Sequence, residues 1–130
     1  MFEAYQKLWR LAGVDHLHVN GIRSKFWESD DSVIRSAHAC LAPFAGVQPV
    51  MPVFSSGQWA GQAPDLSRAL RSTDLMHLAG GGIIGHPDGA ASGVQSMRDA
   101  WEAAVAGADL HEYAQSRPAL HRALAHFGAT

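Results

Sequence analysis

The spacing of three short apolar runs constrains this chain more than any other feature. They fall within residues 11–19 (LAGVDHLHV), 50–54 (VMPVF) and 75–78 (LMHL). His16 stands 35 residues before Met51, and Met51 stands 25 before Met76. Parallel strands need crossovers of a dozen or more residues, usually helical, and both intervals fit right-handed βαβ units. Runs that are apolar throughout suit a sheet covered on both faces. The fold class is α/β.

The segments between the runs supply the helices. Ser29 or Asp30 is placed to cap one, because a side-chain oxygen there accepts an otherwise unpaired first-turn N–H. Val33, Ile34, Ala37, Cys40 and Leu41 then recur at helical spacing, and Pro43 ends the run. Pro64 opens a helix through Leu70, since its missing N–H would be unpaired there in any case. A longer helix after Gly89 sets Val94, Met97, Trp101 and Val105 on one face and stops at Gly107. Two short amphipathic segments, 110–115 and 118–127, complete the chain.

Composition removes several function classes. A length of 130 residues suits one domain with one core. Ten Lys and Arg against 12 Asp and Glu leave a net charge of −2, with no broad basic surface for nucleic acid or an anionic membrane. No apolar run approaches the roughly 20 residues of a membrane span. Glu3 and Lys7 interrupt the apolar opening MFEAYQKLWR, which argues against a signal peptide. A single cysteine, Cys40, leaves no intrachain disulfide, and a reducing, cytoplasmic setting is expected.

In parallel α/β proteins ligands bind at the carboxyl ends of the strands, and the unusual residues lie there. Gly80-Gly81-Gly82 follows the third run, within AGGGIIGHPDG. Three glycines permit positive φ and bring several N–H groups close to an anion. Alone they fit a flexible turn or a phosphate contact. Ser55-Ser56-Gly57 after the second run favours the phosphate reading. His16 and His18 share a face of the first strand, a spacing that fits a hydrogen-bonded core pair, a metal site, or an imidazole donating to a phosphate or hydroxyl. The core pair is the favoured reading, since no second ligand cluster accompanies them. Lys25, one of two lysines, sits on a loop beside Trp27, by default a solvated charge.

In this order, AGVDHLHVNGIRSK, MPVFSSG and LAGGGIIGHPDGAASG resemble the C-terminal third of the RuBisCO large-chain superfamily, over about residues 11–107. The resemblance implies part of a TIM (β/α)8 barrel, about strands six to eight with their helices, plus short C-terminal helices. It implies that His18 contacts a phosphate and that Lys25 is the mobile-loop lysine at the substrate carboxylate. Ser55 would contact substrate, and Gly57, Gly81 and Gly82 would hold phosphate through backbone amides. Ser56 and Gly80, in the same two turns, complete the expected phosphate-binding set.

Departures from RuBisCO itself point to a RuBisCO-like protein instead of an authentic carboxylase. Ser24 precedes Lys25 where RuBisCO has glycine, and Phe26-Trp27-Glu28-Ser29 replaces an acidic, glycine-containing stretch. Ser56 replaces the first glycine of a Ser-Gly-Gly, and Asp88 replaces a large aromatic. The implied chemistry is enolisation of a sugar phosphate with decarboxylation or carboxylation. An enolase or isomerase of methionine salvage and a non-catalytic phosphate-binding remnant are the alternatives. Retention of Lys25 favours chemistry at a carboxylate, where an ammonium stabilises developing charge.

A complete barrel takes about 250 residues, and three βα units are legible here. The resemblance places the family's carbamylated lysine and the Asp and Glu that hold Mg2+ upstream, so no metal ligand is assigned in residues 1–130. The chain is expected to be a partial barrel domain, inactive alone. It would work with the missing N-terminal part of the barrel or a homodimer partner. Its two open sheet edges would otherwise pair with other chains.

Overall fold

Helix α1 (Phe2–Leu11) leads into β1 (His16–His18), α2 (Asp30–Leu41) and β2 (Met51–Phe54). A short 3-10 turn, Ala60–Gln62, precedes α3 (Ala63–Leu70), β3 (Met76–His77) and α4 (Gly80–Ile84). Then come α5 (Ala90–Ala106), α6 (Leu110–Ala114) and α7 (Pro118–Phe127). This is a computed structural model, and it describes residues 2–24 and 28–128. The strands form one parallel sheet in the order β1-β2-β3. The expected crossovers are therefore present, with each strand shorter than its apolar run.

Strand register separates the two sheet faces. Leu17 lies beside Pro52 and Phe54 beside His77, while His18, Val53 and Met76 line up on the opposite side. The first face packs against helices. Phe54 is fully buried among Val19, Ile22, Val33, Ala37, Cys40, Val50, Leu66 and Leu70, with Leu17 and Leu75 at the margin. The second face is bare at its margins: His16, His18, Met76 and Leu78 are exposed, while the central Val53 is buried. Val33, Ala37 and Cys40 of the expected α2 stripe are buried, and Ser29 caps the helix with its side chain accepting from the Ser32 N–H. Burial pushes the Cys40 thiol up to about 11, which makes it unreactive.

Two helices differ from the expectation. The opening segment, read only as unlike a signal peptide, is α1, and it inverts the usual pattern. Gln6 and Arg10 are buried, while Tyr5, Leu8, Trp9 and Leu11 are exposed. Arg10 Nη1 donates to the carbonyls of Ala39 and Ala42 at 2.8 and 2.9 Å, so its charge caps the C-terminal end of α2. Gln6 Nε2 donates to the Ser36 carbonyl and to Cys40 Sγ. Along α5, Val94 and Val105 of the expected apolar face are exposed. Met97 of that face is buried and Trp101 partly so, together with Gly93, Ser96, Asp99, Ala100 and Ala103. Small residues let α5 lie close on its neighbours, where Ala63, Ala79, Ala114 and Leu120 form a second core cluster.

At the edge of the sheet, β3 and α5 leave a groove of about 410 Å3 lined by Leu75, His77, Met97, Trp101 and Val105. Trp101 Nε1 donates to His77 Nδ1 at 3.2 Å, which leaves the proton on Nε2. That Nε2 is buried without a hydrogen-bond partner among the described residues. Burial pushes the imidazole from its ordinary 6.5 down to about 4. Between those values the unfolded chain takes up a proton that the folded chain refuses, so stability falls as pH falls through the window. Thermal midpoints measured from pH 7 to pH 4 should decline, and His77→Phe should flatten the decline.

Candidate functional site

The three turns that follow the strands lie side by side. After β1 the chain turns through Asn20 and Arg23, both at positive φ (66° and 46°). Asn20 Nδ2 donates to Glu28 Oε2, whose other oxygen accepts from Ser32 Oγ at 2.8 Å. The Arg23 N–H donates to Asp30 Oδ1 at 2.7 Å, and its guanidinium pairs with Asp65 at 2.8 Å and donates to the Gly61 carbonyl. Both flanks of segment 25–27 are thus fixed to the body of the protein. Lys25 itself lies outside the described residues.

After β2, Ser56 and Gly57 take the left-handed conformation (φ 72° and 67°), turning the chain sharply. Gln58 Nε2 donates to the Ser56 carbonyl and to the Ile22 carbonyl, both at 3.0 Å, and so ties this turn to the one after β1. A Cβ on Gly21 would come within 2.5 Å of the Ser55 carbonyl, so only glycine fits between the two turns. Gln62 Oε1 accepts from the Trp59 N–H at 2.7 Å, and its Nε2 donates to the Gly57 carbonyl. Both glutamines are buried, and sequence reading left them out of the site. Nothing but proximity to Ser55-Ser56-Gly57 could have singled them out.

The glycine triplet differs from its expected role as a positive-φ loop. Gly80, Gly81 and Gly82 are the first turn of α4, and none of them has positive φ. Packing accounts for Gly82: a Cβ there would sit 2.6 Å from Trp59 Cβ and 2.9 Å from the Gln58 carbonyl. Gly80 and Gly81 instead face open space, with nothing within 4 Å of a Cβ at either. N–H groups in the first turn of a helix have no partner within it. The backbone there is accessible to a ligand.

His18 and Ser55 are brought together, sharing a hydrogen bond of 3.1 Å between Nδ1 and Oγ across neighbouring strands. His16 and His18 are both exposed on the open sheet face, which corrects the reading of them as a core pair. The register explains it: Leu17 between them takes the helix-covered side. His86 is the buried histidine. Its Nδ1 accepts from the Asp88 N–H and its Nε2 donates to the Ala119 carbonyl at 2.9 Å, a structural role. Among the described residues, no three His, Cys, Asp or Glu side chains converge as metal donors.

Three parallel strands with helical crossovers thus gather glycine- and serine-rich turns at their carboxyl ends, a candidate phosphate-binding rim of an α/β protein. Comparison with known proteins places it. Residues 1–127 match the family of the ribulose bisphosphate carboxylase large chain, catalytic domain, and the chain belongs to that family. It is 51% identical over 129 residues to a ribulose bisphosphate carboxylase-like protein of Bordetella bronchiseptica, covering 95% of this chain and 30% of that one. It is 49% identical over 128 residues to the 3-oxo-isoapionate-4-phosphate decarboxylase of Rhizobium rhizogenes, covering 97% and 30%. The crystal structure of a rubisco-like protein from Burkholderia fungorum superposes with a TM-score of 0.92 at 54% identity, over 95% of this chain and 31% of that one. The chain thus spans about three tenths of the length of these relatives. Among the described residues no helix is long and apolar enough to cross a membrane.

The two kinds of glycine in the triplet should separate on substitution. Gly82→Ala should lower stability by about 1–3 kcal/mol, because the backbone of Gln58 and Trp59 must move. Gly81→Ala should leave the thermal midpoint unchanged or slightly raised, since alanine is the better helix former. Paired melting curves check both.

Proposed function

We propose that this chain carries the phosphate-gripping turns and the lysine loop of a RuBisCO-like enzyme that enolises and decarboxylates a sugar phosphate. The observation that carries the reading is the grouping at one end of the sheet. His18 is hydrogen-bonded to Ser55, and beside them Gly57, Gly80 and Gly81 present exposed backbone. Backbone N–H groups and an imidazole suit phosphate oxygens, each charge-assisted bond contributing about 1.5–3 kcal/mol. Ser56 and Gly82 shape the two turns. The family membership and the decarboxylase relative favour a carboxylate-bearing sugar phosphate as substrate. Lys25 would then place its ammonium where negative charge develops as the carboxyl group leaves.

Activity in this reading belongs to the complete barrel. The open face with Met76 and Leu78, and the exposed Tyr5, Leu8, Trp9 and Leu11 of α1, are surfaces for the remaining βα units to cover. Those units, or a second subunit, would also supply Mg2+ and the proton-transfer groups.

Calorimetric titration with a ketose 1-phosphate tests the grip directly. Gly81→Asp fits sterically, since its side chain enters open space, and it adds a negative charge where the phosphate would lie. Binding to the parent chain and loss of binding in Gly81→Asp, with an unchanged melting curve, is the expected result. Equal binding by both would end the phosphate assignment for this turn. In the complete enzyme, Lys25→Ala should lower kcat by about 100-fold or more, the scale of losing one charge-stabilising group. An unchanged kcat would remove Lys25 from the chemistry.

A further inference from the structure

Helix α7 contacts the segments that follow both turns of the proposed phosphate grip, at Trp59 on one side and at Gly85, His86 and Asp88 on the other. At its far end the Phe127 ring lies 5.6 Å, centroid to centroid, from the indole of Trp59. Trp59 is the residue whose backbone and Cβ close over Gly82. The same Phe127 ring edge lies 3.8 Å from where a Cβ on Gly85 would stand, at the end of α4. Near its start, the Ala119 carbonyl accepts from His86 Nε2. One turn further on, Arg122 grips the Asp88 carboxylate with two contacts, at 3.2 and 3.3 Å.

Asp88 joins this corner to α7 by an exposed ion pair. His86 and Asp88 also fix each other through the Asp88 N–H. The segment after α4 is therefore held by α7 at one end and the segment after β2 at the other. Moving α7 would shift Gly57 relative to Gly80 and Gly81.

We infer that α7 is a clasp that sets the distance between the Gly57 turn and the Gly80–Gly81 turn, with Phe127, Arg122 and Asp88 as positioning residues for a bound phosphate group. The inference rests on the proposed phosphate reading for its purpose and on the contacts above for its geometry. None of the three residues need touch the ligand. Phe127 also lines, with Arg23, Gly57, Trp59, Gln62 and Gly128, a cavity of about 440 Å3 beside the Gly57 turn. Loss of the ring would enlarge that space and free Trp59 to turn.

The test is amide NMR of the 130-residue chain, without and then with inorganic phosphate. Phe127→Ala and Arg122→Ala should each shift the Gly57, Gly80 and Gly81 amide signals before phosphate is added. Each should then weaken phosphate binding about two- to five-fold, the scale of one exposed pair or ring contact. The exchange Asp88→Arg with Arg122→Asp should restore both signals and affinity, whereas Arg35→Ala on α2 should alter neither. Should Phe127→Ala fail to fold, the exposed Asp88–Arg122 pair still carries the test. Unmoved amide signals and unchanged affinity in the Arg122→Ala chain, or no recovery in the exchanged pair, would overturn the clasp. Amide shifts in the variants, with a parent chain that binds no phosphate, would keep the mechanical link from α7 to the two turns and overturn the phosphate reading and the positioning role that rests on it.

Discussion

The strand-end turns of this protein meet backbone to backbone, and that close approach governs the rest of the arrangement. It depends on two positions without a Cβ. Gly21 lets the turn after β1 seat against Ser55 and Gln58, and Gly82 lets α4 seat against Gln58 and Trp59. The turn after β2 lies between the other two, held on one side by Gln58 and on the other by Trp59. A side chain at either glycine would meet backbone atoms at 2.5–2.9 Å and push the turns apart. Ser55 would then lose His18, and Gly57 its fixed relation to Gly80 and Gly81.

Polar groups do much of the work of holding this portion together. Arg10 and Gln6 dock α1 onto α2 through carbonyl groups, and Gln58 and Gln62 brace the β2 turn from inside. These donors each meet a specific acceptor, as the desolvation of polar groups requires, although Arg10 Nε, Gln6 Oε1 and Gln58 Oε1 are buried without a partner among the described residues. His77 Nε2 is buried and unpaired at the sheet edge, beside an apolar groove. Apolar residues of α1, β3 and α5 are exposed. The helix-covered face of the small sheet carries the core, and the other face carries His16 and His18 together with the exposed Met76 and Leu78.

Much of the fold was legible because its signals are local. Pro64, Ser29 and Gly107 mark helix ends through backbone chemistry that needs no tertiary partner, and the structure places them there. The strand runs were legible for the same reason. Helix α1 was not, because its buried face is polar and its apolar face is bare, the reverse of what periodicity is read to mean. The stripe on α5 misled for a related reason: close packing on α3, α4 and α7 selects glycine, serine and alanine, and leaves Val94 and Val105 outside.

The sequence by itself determined the α/β class, the crossover spacing and which turns carry the serines and glycines, since each follows from residue type and local spacing. Its resemblance to the RuBisCO large-chain family was also readable from three short segments, and the family match over residues 1–127 agrees with it. Only the tertiary structure decided that the glycine triplet is a helical turn, with Gly82 closed against Trp59 and Gly81 open. Only it placed both strand histidines on the bare face and buried His86 against α7. Those outcomes depend on which surfaces meet across the chain, and residues 20 to 40 positions apart carry no mark of one another in a linear sequence.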